Sequence, residues 1–297
     1  MYDLIIIGAG PAGLTAGIYS ARHHLKTIIL GKILGGTVSE VHKIGNFPTY
    51  HEISGKELTE KMVDQVKKLG IKIKNEEVIQ ISKSKEGFTL KTEKGKYNAK
   101  KLILALGKEK RKTNIKGEKE FAGKGVSYCA VCDAQFFKNK EVAVIGGGDS
   151  ALATALLTSE FAKKVFIIHR GENLKGEPGH VHSVKKNNKI EVIFNSNITE
   201  IRGNKKVEKI KLDTGKEIKI DGVFIEAGTI PQNRLTSELG INLEEEHIIV
   251  NKKQETNIKG VFAAGDITNN LVKQMITAAA EGAVAAISAY EEISRES

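Results

Sequence analysis

The sequence predicts an α/β fold of two Rossmann-like dinucleotide-binding domains, the second inserted in the first. Gly8-Ala9-Gly10-Pro11-Ala12-Gly13 follows the apolar run Leu4 to Ile7 and precedes a helical stretch, Leu14 to Arg22. The same unit recurs after a shift of 138 residues, which places Gly8, Gly10 and Gly13 on Gly146, Gly148 and Ala151, and Leu30 on Ile168. A third observation adds chemistry: the only two cysteines in 297 residues, Cys129 and Cys132, form a Cys-x-x-Cys pair between the repeats, with Asp133 directly after it.

The first turn is a G-x-G-x-x-G motif in its required setting, strand before and helix after. Its glycines let backbone amides approach a pyrophosphate at the helix N-terminus and let helix and strand pack closely. A second strand is expected at Thr27 to Leu30, but the acid that usually ends it, on an adenosine ribose, is replaced by Gly31-Lys32. Gly35-Gly36-Thr37 and Asn46-Phe47-Pro48 lie in the following loops, where adjacent glycines suit close approach to a ligand. Ser54 to Leu69 has helical spacing, with Leu58, Met62, Val66 and Leu69 on a core face and Gly70 as the stop. Strands are expected at 78–82, 88–92 and 101–107, and the charged run Lys108 to Gly117 reads as a linker.

Two thiols at Cys-x-x-Cys spacing can close a small disulfide ring, and an adjacent acid can move the proton that ring opening requires. Two other readings stay open at this point. One is a zinc half-site completed by His180 and His182; the other is a pair of inert core thiols. Soon afterwards the strand 141–145 leads into Gly146-Gly147-Gly148-Asp149-Ser150-Ala151, the second nucleotide turn. After its second strand come His169-Arg170, with Lys175 nearby, where an NAD site places a carboxylate. Cations there favour a 2′-phosphate, hence NADPH, unless they are simply solvated side chains. Further strands are expected at 190–195, 207–212 and 217–225, a second linker at Pro231 to Arg234, a short strand at 261–264 before Gly265-Asp266, and an alanine-rich helix from about Lys273 to Glu291.

Composition narrows the class. Hydrophobic content of 40% with 30 Gly and 4 Pro is that of a globular α/β protein. The formal charge is +10, but six of the 46 basic residues are arginine and the lysines are scattered without interleaved aromatics, which argues against nucleic acid. A solvated lysine-rich surface is the first reading, and attraction to an acidic protein partner the second. Glycines break the one uncharged N-terminal stretch, which excludes a membrane span there, and no targeting leader is visible. Two cysteines spaced for redox chemistry, with no scaffold of structural disulfides, fit a reducing cytoplasm.

Taken together these motifs, with Gly260-Val261-Phe262-Ala263-Ala264-Gly265-Asp266, resemble the low-molecular-weight thioredoxin reductases over nearly the whole chain. The resemblance implies domains at 1–113 with 235–297, binding FAD, and at 114–234, binding NADPH and carrying the dithiol. It implies FAD contacts from Gly8, Gly10, Pro11, Ala12, Gly13, Gly35, Gly36, Thr37, Asn46, Gly265 and Asp266. Lys273-Gln274-Met275 joins them, where the family has Arg-Gln-Ala. It implies NADPH contacts from Gly146, Gly148, Asp149, Ser150, Ala151, His169, Arg170 and Lys175. Carried over, Cys132 lies against the flavin, Cys129 exchanges with a thioredoxin- or glutaredoxin-like protein, and Asp133 is the general acid. The expected protein is a cytoplasmic homodimer without metal, reducing thioredoxin disulfide.

The sequence departs from the family at four places. The His-Arg-Arg-x-x-x-Arg signature reads His169-Arg170-Gly171-Glu172-Asn173-Leu174-Lys175, an acidic pair is Ala153-Thr154, Ala-Thr-Gly is Ala105-Leu106-Gly107, and Ala134 follows Asp133 where glycine is usual. Lysine lacks the bidentate fork of arginine, which weakens phosphate preference. The donor therefore stays open among NADPH, NADH, reduced deazaflavin and ferredoxin, and a flavin redox switch that never turns over is the alternative of another class.

Overall fold

The computed structural model describes residues 1–111, 113–231 and 235–296. The chain divides into two compact units, Met1–Glu109 with Ile230–Ser297 and Lys110–Thr229. The boundaries drawn from sequence lie a few residues further along in both places. Residues 113–117 explain the first difference: Lys116 donates to the Thr199 carbonyl, and the Ile201 amide to that of Lys116, so this charged stretch is paired within the second unit. Of the second linker, residues 232–234 lie outside the described residues.

In the first unit the order is β1 (Tyr2–Ile7), α1 (Pro11–Arg22), β2 (Thr27–Leu30), α2 (Gly55–Lys68), β3 (Lys72–Lys74), β4 (Val78–Ser84), β5 (Gly87–Thr92) and β6 (Lys96–Leu104). Strands β3-β2-β1-β6 are parallel neighbours, and β5 and β4 continue the sheet antiparallel. Leu4 to Ile7 is buried throughout because the sheet is covered on both sides. Leu4 and Ile6 face one cluster with α1, and Ile5 and Ile7 face another. Each such side chain contributes about 1.5–3 kcal/mol on full burial. The α2 helix starts from Ser54, whose hydroxyl caps the Glu57 amide at 3.1 Å. Its core face is Leu58, Val63 and Val66; Leu69, expected inside, is exposed because it caps the helix end beyond the last packed turn.

The chain crosses into the second unit along β7 (Lys108–Lys110) and runs β8 (Val126–Ser127), α3 (Ala130–Asp133), β9 (Glu141–Ile145), α4 (Asp149–Phe161), β10 (Lys164–Ile168), α5 (Pro178–Lys186) and β11 (Ile190–Ile193). The strands β12 (Ile198–Gly203), β13 (Val207–Leu212), β14 (Glu217–Lys219) and β15 (Gly222–Ile225) follow. A parallel sheet of order β11-β10-β9-β15-β8 has α4 on one face and the β12-β13-β14 meander on the other. The stretch expected as one strand over 217–225 is two, in different sheets. Gly222 makes the break useful, because a Cβ there would lie 2.1 Å from the Phe137 ring.

The repeat read from sequence is also a repeat of register. Leu4 pairs with Thr27 and Ile7 with Leu30; after the same shift, Val142 pairs with Val165 and Ile145 with Ile168.

The chain returns to the first unit through β16 (Thr229–Pro231), α6 (Thr236–Leu239), β17 (Leu243–Glu244), β18 (His247–Ile248), β19 (Val261–Ala263) and α7 (Met275–Glu296). The β19 strand pairs with the end of β6, Val261 beside Leu102. The α7 helix packs on α1 closely enough that a Cβ on Gly282 would stand 2.0 Å from the Ala12 carbonyl oxygen. Its far end is tied down by Lys101, nearly buried, which meets Glu292 at 2.7 Å and Glu296 at 2.8 Å.

Candidate active site

Cys129 and Cys132 are closed as a disulfide, with Cα atoms 5.4 Å apart, and neither is a free thiol. The ring rests on the short helix α3, whose N-cap is Cys129 itself: the Cys132 amide points at Cys129 Sγ, 3.3 Å away. That amide is a donor in place for the thiolate that ring opening leaves on Cys129. Asp133 closes the turn through its amide to the Cys129 carbonyl, 3.1 Å, and its carboxylate accepts a 2.6 Å hydrogen bond from Ser127. The zinc reading loses its ligands in this arrangement, since the sulfurs are bonded to each other and His180 pairs with Asp149 instead.

Tyr128, next to Cys129, donates to buried Glu118 at 2.8 Å, and Glu118 also accepts from Thr113. Burial first, and then the Glu118 carboxylate, push the Tyr128 phenol up to about 12, so it stays a donor at any physiological pH. Around the ring Val131 and Phe136 are exposed, Phe136 by 65%, which leaves an apolar rim beside the disulfide.

The first glycine turn is tightly built. Gly8 has φ +116°, and a Cβ on Gly13 would lie 2.0 Å from the Gly8 carbonyl oxygen. Gly35 donates to the Ala9 carbonyl at 2.8 Å, and a Cβ on Gly36 would meet Gly10 Cα at 3.0 Å, so the two glycine segments lie against each other. Gly265 completes the group, within van der Waals reach of Ala12 for any added Cβ. The helix α1 begins at Gly10 with no side-chain cap and no acid in its first turn. Free amides at an uncapped, uncharged helix N-terminus suit a pyrophosphate, and the crowded glycines suit the close approach of a dinucleotide such as FAD. At the other end of the group Asn46 Nδ2 donates to Gln274 Oε1 at 3.2 Å, although 228 residues separate them. Met275 packs with Ile44, Ile53 and Leu58, Lys273 donates to the Thr268 carbonyl, and Thr37 is exposed in the turn after Gly36.

Glu281 is the residue that sequence reasoning missed here. Its carboxylate accepts from the Gly265 amide at 2.7 Å and from Thr268 at 3.3 Å, fixing the Gly265-Asp266 turn. The available signal was one acid in an otherwise small and apolar helix face, Ala278 to Ala283. Burial raises its pKa, against hydrogen bonds from Gly265, Asn270 and Thr268 and the Lys273 charge. A raised carboxylate pKa means that the folded state holds the proton longer than the unfolded one. The contribution to stability is therefore full below the ordinary value of 4.5 and falls as pH rises through the raised one. Glu281→Gln is expected to remove that fall, so the variant's melting temperature should gain on the parent's as pH rises from about 4.5 and then level off. Parallel melting curves across the pH range would contradict the assignment.

The second turn differs in charge and cover. Gly148 caps α4 without a side chain, but Asp149 follows at once, and its carboxylate accepts from the Glu177 amide at 2.6 Å and from His180 Nδ1 at 3.0 Å. The Lys175 amide donates to the Gly147 carbonyl at 2.7 Å. The segment after β10 is thus fastened across the turn at two points. His169, expected at the phosphate, is buried: Nε2 is 3.0 Å from the Asn173 carbonyl, and a Cβ on Gly147 would strike the ring at 2.4 Å. Its role in this structure is to shape the loop, and it leaves Arg170 and Lys175 as the exposed cations there. A Cβ on Gly171 would stand 2.9 Å from His169 Nε2, so the missing family arginine is matched by how this histidine packs. Ser150 is exposed and Ala151 buried beneath it.

Paired parallel-sheet units with glycine turns, and one redox ring between their repeats, define the class: a disulfide oxidoreductase of the dinucleotide-binding kind. The chain belongs to the pyridine nucleotide-disulphide oxidoreductase family, whose model matches residues 2–282. That membership implies a flavin and a nicotinamide dinucleotide as cofactors. The thioredoxin reductase of Bacillus subtilis (strain 168) is 40% identical over 293 residues, covering 96% of this chain and 93% of its own. Among solved structures, Lactococcus lactis thioredoxin reductase in its FR conformation superposes with a TM-score of 0.95 at 38% identity, over 99% of this chain and 100% of that one. A ferredoxin-flavin thioredoxin reductase from Clostridium acetobutylicum gives a TM-score of 0.55 at 36% identity, over 99% and 98%. Among the described residues no helix is long and apolar enough to cross a membrane.

Proposed function

We propose that the chain is a thioredoxin-disulfide reductase, acting in the cytoplasm as a homodimer, with FAD held by the first unit and NADPH by the second. The observation that carries this reading is the closed Cys129–Cys132 ring with Asp133 hydrogen-bonded beside it. Near full-length similarity to thioredoxin reductases supports the choice of partner. When bound, the flavin supplies two electrons from the nicotinamide to the disulfide.

The chain's own residues do the rest. The α1 amides and the Gly8 to Gly13 turn hold the FAD pyrophosphate, Gly265-Asp266 its ribityl and phosphate region, and Asn46 with Gln274 the far end of the site. Cys132 is the sulfur on the flavin side, and Asp133 supplies the proton when the ring opens. Cys129 is then the nucleophile: its thiolate attacks one sulfur of the partner disulfide and expels the other as a thiolate, and Cys132 then attacks Cys129 Sγ in the mixed disulfide, releasing the second partner thiolate as the ring closes. The apolar rim of Val131 and Phe136 and a charge of +10 suit a small acidic protein with an exposed disulfide.

A second donor is favoured by a specific observation. The second helix N-terminus carries the Asp149 carboxylate, and its phosphate loop keeps Arg170 but lacks the other two family arginines, while one similar structure is a ferredoxin-flavin enzyme. Anaerobic titration of the flavoprotein with NADPH, NADH, reduced deazaflavin and reduced ferredoxin decides, by which of them bleaches the flavin band. Lys175→Arg is expected to raise the ratio of kcat/KM for NADPH over NADH roughly five- to tenfold, about 1 kcal/mol for one better charge-assisted hydrogen bond. An unchanged ratio would show that this loop does not read the 2′-phosphate.

A further inference from the structure

We infer that Ser127 is a positioning residue for the redox step, acting through Asp133; this rests on the reading of Asp133 as the acid. Ser127 is 4% exposed and sits on β8, paired with Phe224 of β15 at the edge of the parallel sheet. Its hydroxyl donates to Asp133 Oδ2 at 2.6 Å and accepts from the Cys129 amide at 3.1 Å. One side chain anchored in a strand therefore holds both the proton donor and the backbone of a reacting cysteine.

The requirement for such an anchor comes from the chemistry. Asp133 stands on a four-residue helix whose cap is Cys129, so opening the ring releases the constraint that shapes this turn. The S–S bond breaks on gain of two electrons, which the flavin of the proposed reading would supply, leaving a negative charge on each sulfur; a proton held on Asp133 Oδ1, the oxygen that Ser127 does not bond, would pass to one of them and leave Asp133 a carboxylate. The other sulfur remains a thiolate. Proton delivery of this kind depends on the acid keeping its place while the turn relaxes. Ser127 is outside the ring and inside the sheet, and its two hydrogen bonds do not depend on the disulfide. Sequence alone did not mark it, because a serine two residues before a cysteine is an ordinary strand residue.

The test follows appearance of the Cys129 and Cys132 thiols in the FAD-loaded enzyme after rapid mixing with dithionite, quenched with an alkylating reagent, so that the natural donor does not matter. Asp133→Asn is expected to slow thiol formation about 100-fold, the usual scale for a positioned acid. Ser127→Ala should slow it about tenfold, and Ser127→Thr, which keeps the hydroxyl, should return most of that rate. In the Asp133→Asn background Ser127→Ala should add less than twofold, because its effect passes through a group already gone. If Ser127→Ala slows both backgrounds by the same factor, or Ser127→Thr is as slow as Ser127→Ala, the inference is overturned and the serine is merely structural. If Asp133→Asn itself keeps the parent rate, it is the reading of Asp133 that fails.

Discussion

Cys132→Ser is expected to keep its flavin and to lose reduction of thioredoxin disulfide by a factor on the order of 10³ or more, as when one member of a catalytic unit is removed. No ring can then accept electrons. Cys129 remains, however, and its sulfur has the Cys132-position amide aimed at it, 3.3 Å away in the parent. The variant should therefore still attack a disulfide partner and, lacking the resolving thiol, stay joined to it. A mixed disulfide at the summed mass, seen on a non-reducing gel and dissolved by dithiothreitol, is the expected product. Cys129→Ser should be equally inactive in turnover and give none. A mixed disulfide from Cys129→Ser but not from Cys132→Ser would exchange the two roles. Turnover at the parent rate in either variant would remove the dithiol from the mechanism.

How far the sequence carried depends on how local each interaction is. Both glycine turns were legible because strand, turn and helix are adjacent, and because the repeat preserves register down to Leu4 with Thr27 and Val142 with Val165. The dithiol was legible from its spacing taken together with the two nucleotide turns around it, not from the spacing alone. What escaped were partners chosen by the fold. Gly265 and Glu281 meet through a loop and a helix turn, and Asn46 finds Gln274 across most of the chain. His169 was placed correctly after its strand, but only the packing against Gly147 and Gly171 turns its ring inward to Asn173. The break at Asp221-Gly222 was hidden for a similar reason, since the Phe137 ring that demands a glycine lies far back in the sequence.

Gly8→Val is expected to yield a colourless, destabilised protein, and the parallel change Gly146→Val a yellow one. At Gly8 the backbone has φ +116°, and a Cβ would stand 2.0 Å from the Ala105 carbonyl oxygen and 2.6 Å from its carbon. Those atoms cannot retreat freely, because Ala105 donates to the Ile7 carbonyl at 2.8 Å and Gly8 to that of Leu30 at 2.7 Å, in the centre of the sheet. A β-branched residue at positive φ costs about 1–3 kcal/mol, and forced overpacking about as much again. Against a total stability of roughly 5–15 kcal/mol that is a large loss, and it falls on the turn proposed to cradle the FAD pyrophosphate. Gly146 is built in the same way, with φ +129° and a prospective Cβ 2.4 Å from the Glu226 carbonyl oxygen, but it belongs to the other unit. Gly146→Val should therefore keep one flavin per chain, lose flavin bleaching by NADPH, and still form the Cys129 and Cys132 thiols with dithionite. Flavin-to-protein absorbance ratios and the anaerobic titration read both variants. A flavin retained by Gly8→Val together with one lost from Gly146→Val would reverse the assignment of the two turns.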